Sequence, residues 1–68
     1  MNEIIFLVEG AVEGGFSAKA LNHSIFTEAD TEEELKINIK DAISCHFDKN
    51  EMPKIIHLHF VKDEVFAF

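Results

Sequence analysis

Only one stretch of this chain, Ala29 to Phe47, carries the marks of a helix; the rest reads as strand and turn. One helix covers one side of a sheet, so the architecture turns on which strands keep apolar side chains on the other side. The helix start is chemically specified. Thr31 followed by Glu34 is a capping box, in which the Thr31 hydroxyl accepts from the Glu34 amide and the Glu34 carboxylate reaches back to the Thr31 amide. Glu32, Glu33 and Glu34 occupy the first turn, where the helix dipole favours negative charge. At ~100° per residue, Leu35, Ile39, Ala42, Ile43, His46 and Phe47 fall on one arc, with Glu33, Asp41 and Ser44 opposite. Ile37 stands off that arc, facing solvent or a partner. Asp48-Lys49-Asn50 and then Pro53 end the helix.

The strands follow from period-two patterns. Glu3 to Glu9 is apolar throughout Ile4–Val8; a half-buried strand would alternate, so both faces of this one are expected to be covered. Gly14-Gly15 supplies the conformations of a tight turn into a second strand, Phe16 to Leu21. A bend at Asn22-His23-Ser24 leads to a short third strand, Ile25 to Glu28. After the helix, Lys54 to Val61 places Ile56, Leu58 and Phe60 on one face and Ile55, His57, His59 and Val61 on the other. Asp63-Glu64 is expected to turn into a last extended piece, Val65 to Phe68. The fold class is therefore α+β: a single antiparallel-rich sheet with one helix on one face, in the order β-β-β-α-β, as one domain over residues 1–68.

A chain of 68 residues buries only about 60% of its unfolded surface and gains from help. Disulfides cannot give it, because Cys45 is the only cysteine. With no signal peptide and no apolar run long enough to span a bilayer, the expected setting is the cytoplasm, away from membranes. The net charge of −7 repels phosphate backbones, so direct nucleic-acid binding is not expected, and a basic protein partner suits it better. A strand apolar on both faces, together with the tail Val65-Phe66-Ala67-Phe68, leaves more apolar surface than one helix can hide. Self-association is expected, most simply as a two-fold dimer; the alternative is a central first strand whose outer face the C-terminal tail folds over. The expected contacts of the dimer are Ile5, Leu7, His57, His59, Phe66 and Phe68. Ile4, Phe6, Val8, Leu35, Ile39, Ile43, Phe47, Ile56, Leu58 and Phe60 are assigned to the core.

Catalytic chemistry finds little footing. His57 and His59 form an H-x-H pair on one strand face, a weak candidate for metal binding that lacks a third ligand; on a symmetric interface the pair would be a pH-sensitive contact. Cys45 and His46 are neighbours on a helix, about 100° apart, and do not pair as nucleophile and base. Cys45 reads instead as a small, partly buried apolar residue, and His46 as a core-edge histidine favoured by the helix C-terminus. Gly10, Gly14 and Gly15 match no phosphate-binding loop. No catalytic residue and no cofactor are expected.

The run Glu13-Gly14-Gly15-Phe16, a short third strand, and Asp30-Thr31 with Glu33-Glu34 at the helix start resemble the HicB-like antitoxin domain. The likeness spans roughly residues 3 to 61. It implies a partial RNase H-like fold that assembles into dimers or tetramers. It also implies, for true antitoxins, a complex with a small basic HicA-type toxin that cleaves mRNA, the antitoxin covering the toxin's catalytic surface. Candidate toxin contacts are Glu32, Glu33 and Ile37. Relatives that repress their own operon carry a C-terminal DNA-binding segment; none is expected after the last strand here. The expected function is thus a non-catalytic protein-binding domain. The alternative is a self-assembling small-ligand or metal-binding module using the histidine strand.

Overall fold

Two glycines set the first turn. In the computed structural model, which describes residues 2–11, 13–61 and 66–68, Gly14 and Gly15 adopt φ of 98° and 87°, a region that side-chain-bearing residues avoid. The Ala11 N–H donates to the Gly15 carbonyl at 3.0 Å and the Gly14 N–H to the Ala11 carbonyl at 3.1 Å. The turn joins β1 (Glu3–Gly10) antiparallel to β2 (Phe16–Ala20). A Cβ on Gly15 would lie 3.1 Å from the Ala29 carbonyl oxygen. Gly15→Ala is therefore expected to cost at least about 1–2 kcal/mol through the left-handed backbone. In a domain of this size that lowers Tm by roughly 4–8 °C per kcal/mol. An unchanged melting curve would mean that the turn rebuilds without strain.

A turn with Asn22 at φ 68° reverses the chain into β3 (Phe26–Ala29), antiparallel to β2. The strand begins one residue later than the pattern suggested; Ile25 is buried all the same, and its carbonyl accepts from the Ala20 N–H at 3.0 Å. Thr31 then caps α1 (Glu32–His46), its hydroxyl accepting from the Glu34 N–H at 3.1 Å. The reciprocal bond from the Glu34 carboxylate is not formed; that side chain lies in the mouth described below. A 3-10 turn at Lys49–Glu51 leads to β4 (Ile55–Val61), which pairs parallel to β1 with Phe6 beside Leu58. A parallel neighbour needs a crossover, and α1 supplies it. The result is an α+β fold with a four-stranded mixed sheet, in the order β3-β2-β1-β4, and one helix on one face.

The buried residues are Ile4, Phe6 and Val8 of β1, Ala18 and Ala20 of β2, Ile25, and Leu35, Ile39 and Ile43 of α1. The side chains of β1 thus face the helix in the assigned parity, and the alanines of β2 leave room for α1 to sit close. The helix lies across β2 and β3 rather than β4. That offset explains the departures at β4 and at His46; Cys45 departs for a reason of its own. Ile56 and Leu58 are only partly buried, and Phe60, assigned to the core, is 48% exposed, touching Phe16 edge-on with ring centroids 6.5 Å apart. Cys45 is exposed rather than partly buried, because it stands about 200° from Ile43 around the helix. His46 is exposed and meets His23 and Phe47 at ring distances of 5.8 and 4.8 Å, at the β2–β3 turn rather than over the sheet.

Asn38 ties the helix to the edge strand: its Nδ2 donates to the Glu28 carbonyl at 3.0 Å. This satisfies a β3 backbone group and fixes where α1 sits across the sheet. Asn38→Ala is expected to cost about 1 kcal/mol, read as a lower urea midpoint with an unchanged m-value. No shift in midpoint would make the bond incidental. The turn expected at Asp63-Glu64, and Val65, lie outside the described residues; Phe66–Phe68 are not in a strand.

Candidate functional site

Two surfaces stand out, one at an end of the sheet and one across its outer side. Hairpin register builds the first. With the turn pinned at Gly14-Gly15, Glu9 comes opposite Ser17, and Ser17 opposite Glu28. The start of α1 adds Asp30 and Glu34, and Asn38 follows one turn on. Together they line a polar mouth of ≈ 630 Å³. Its acidic residues come from separate elements, and no cationic residue is among the described lining residues; by strand parity Glu9, Ser17 and Glu28 stand on the face away from α1, next to the row of Leu7, Lys19 and Phe26. Such a surface suits a cationic group of a partner, brought in by long-range attraction.

The toxin-contact candidates are placed differently. Glu32 pairs with Lys36 at 3.9 Å on the opposite side of the helix, an exposed i,i+4 pair worth little. Glu33 and Ile37 point to solvent, Ile37 at 66% exposure. Reasoning from the helix alone missed Glu9 and Glu28, which only the strand register brings near its N-terminus; Asp30 directly precedes the Thr31 cap in sequence.

The second surface is the outer side of the sheet, away from α1. Cross-strand pairing sets Phe26, Lys19, Leu7 and His59 in one row and Ile5 beside His57 in the next. Leu21, whose N–H donates to the Ile5 carbonyl at 2.9 Å, continues that second row. Ile5 and Leu7 are half-buried by their neighbours; Leu21, Phe26 and Ile55 are exposed. Among the described residues no second layer covers this face. His57 and His59 project from it, and the His57 Nδ1 lies 3.4 Å from a Glu3 carboxylate oxygen. Among the described residues these do not grow into a group of three or more potential metal ligands. Phe66 and Phe68 are exposed, so the described tail does not serve as the missing layer.

Fold and surfaces define a small α+β domain whose single helix covers one face of a mixed sheet. The chain belongs to the UPF0150 family. A UPF0150 protein of Thermotoga maritima is 48% identical over 65 residues, covering 96% of this chain and 91% of that protein. A UPF0150 protein of Archaeoglobus fulgidus is 54% identical over 52 residues, covering 76% of this chain and 77% of that protein. No family model matches the chain, and no solved structure matches it. Among the described residues, no helix is long and apolar enough to cross a membrane.

Proposed function

We propose that this domain is a non-catalytic protein-binding module of the HicB-antitoxin type, which self-associates and covers a small basic HicA-type toxin in the cytoplasm. One observation carries the reading: the outer face of the sheet, where Leu21, Phe26 and Ile55 stand exposed beside Ile5 and Leu7. On so small a domain, an outer face that carries these apolar side chains, with Lys19 and the two histidines among them, marks a contact surface, and a two-fold pair covers it with the fewest parts. The acidic mouth supports the second half of the proposal. Glu9, Glu28, Asp30 and Glu34, in a chain of net charge −7, complement a protein whose own surface must attract RNA phosphate.

The test is co-purification. The tagged chain, expressed in its own cells, is expected to recover a small basic protein in near-equal amount. Glu28→Lys with Asp30→Lys is expected to cut that recovery at least tenfold without unfolding the sheet. Cells that yield the self-associated domain and no such partner would leave assembly as its only role. Calorimetry with Zn2+ addresses the metal-binding alternative, to which the His57–Glu3 proximity gives its one foothold. Binding abolished by His57→Ala would favour that alternative.

A further inference from the structure

The two edges of the sheet are treated differently. The short edge strand β3 is tied to α1 by the Asn38–Glu28 bond. The other edge, β4, reads I-I-H-L-H-F-V and runs seven residues without proline, lysine or an acidic residue. An edge of that composition is a template for another strand, and proteins rarely leave one open. Beside it lies an apolar groove of ≈ 420 Å³ between β4 and α1, floored by Ile56, Leu58 and Phe60 and rimmed by Glu32, Lys36 and Lys40. It exists because the helix sits over β2 and β3.

The geometry points to the C-terminal tail of a second copy as the occupant: Phe66–Phe68 of one chain adds along the free edge of β4 in the other, seating both phenyl rings in the groove. Phe66 and Phe68 are 86% and 126% exposed in the single chain. They are two residues apart, so an extended tail presents both rings to one side, matching the alternation of Ile56, Leu58 and Phe60.

The chain's own tail is the poorer fit. A simple hairpin with a two- or four-residue loop after β4 sets Phe66 opposite Val61, and so on the outer face with it. An odd-numbered loop would turn the rings inward, but it favours a residue at positive φ, and no glycine or asparagine lies between Val61 and Phe66. Reach is sufficient for exchange. From Val61 to Phe66 the chain spans up to about 17 Å, against about 10 Å between two sheets packed face to face. Two seated rings bury on the order of 300–500 Å² per tail. A reciprocal exchange doubles that, adding to the face contact towards the ~1,200 Å² at the low end of stable pairs.

The inference rests on the proposed self-association, and its test separates the two. Chains labelled with 13C are mixed with unlabelled chains, and NOEs are selected between labelled and unlabelled copies while light scattering reports the mass. Cross-peaks are expected from the Phe66 and Phe68 rings of one copy to the Ile56 and Leu58 methyls of the other. Phe66→Asp with Phe68→Asp, at exposed positions, is expected to abolish them and weaken the pair at least tenfold. Rings that touch only their own chain, or only Ile5 and Leu7 of the partner, in a particle of twice 7.7 kDa, would overturn tail exchange and leave self-association standing. A mass of 7.7 kDa throughout would overturn both.

Discussion

Phe6→Ala is expected to bring the domain to the edge of unfolding at room temperature. Phe6 is the largest side chain at 0% exposure, on the central strand, between Ala20 of β2 and Leu58 of β4 and beneath the helix. Removing a buried phenyl ring costs about 3–5 kcal/mol, more when the surroundings cannot collapse into the space. Here they cannot. The neighbour on β2 is already an alanine, and Leu58 is anchored by the pairing of β4 with β1. At about 0.05–0.15 kcal/mol per residue, a 68-residue domain holds only ~3–10 kcal/mol in total. The loss therefore consumes a third or more of the stability and lowers Tm by about 12 °C or more. Thermal denaturation followed by circular dichroism checks it. A fall under a few degrees would mean that the core repacks, and that β1 is less central to stability than its burial indicates.

The features legible in the sequence are those that one segment decides for itself. The Thr31 cap and the Gly14-Gly15 turn each depend on residues within a few positions, and the structure realises both; the unbroken apolar run Ile4–Val8 marks a strand, but its alternating burial appears only once α1 is in place. Phe60 and His46 were misjudged for a common reason, while Cys45 follows from its angle to Ile43 alone. Periodicity tells which side of a helix is apolar but not which strands it lies across, and here the helix is displaced towards β3. The Asn38–Glu28 bond contributes to that displacement and leaves no trace in any hydrophobic pattern. The acidic mouth was missed on similar grounds. Glu9 and Glu28 look like scattered solvated charges until the strands are in register, although the turn glycines already bring Glu9 opposite Ser17.

On the proposed self-association, Leu7→Glu is expected to convert the pair into a folded 7.7 kDa monomer. Leu7 lies at the centre of the outer face, flanked by Lys19 on β2 and His59 on β4. Within one chain, a glutamate there gains an opposite charge directly across the strand, an arrangement that sheets tolerate well. The monomer should therefore keep its circular dichroism spectrum and lose at most a few degrees of Tm. Between two copies packed face to face, the same substitution buries carboxylates where Leu7 met apolar neighbours. A buried ion pair in place of an apolar contact costs about 1–4 kcal/mol, and the substitution introduces one in each copy, so the pair should weaken at least a hundredfold, about 2.7 kcal/mol. Light scattering at micromolar concentration reads the mass. Dilution adds a second check, because the Tm of an assembled protein rises with its concentration, and that dependence should vanish in Leu7→Glu. A wild-type mass of 7.7 kDa, or a variant that stays assembled at wild-type stability, would mean that the outer face of the sheet is an ordinary solvated surface, and the protein-binding reading would lose the observation that carries it.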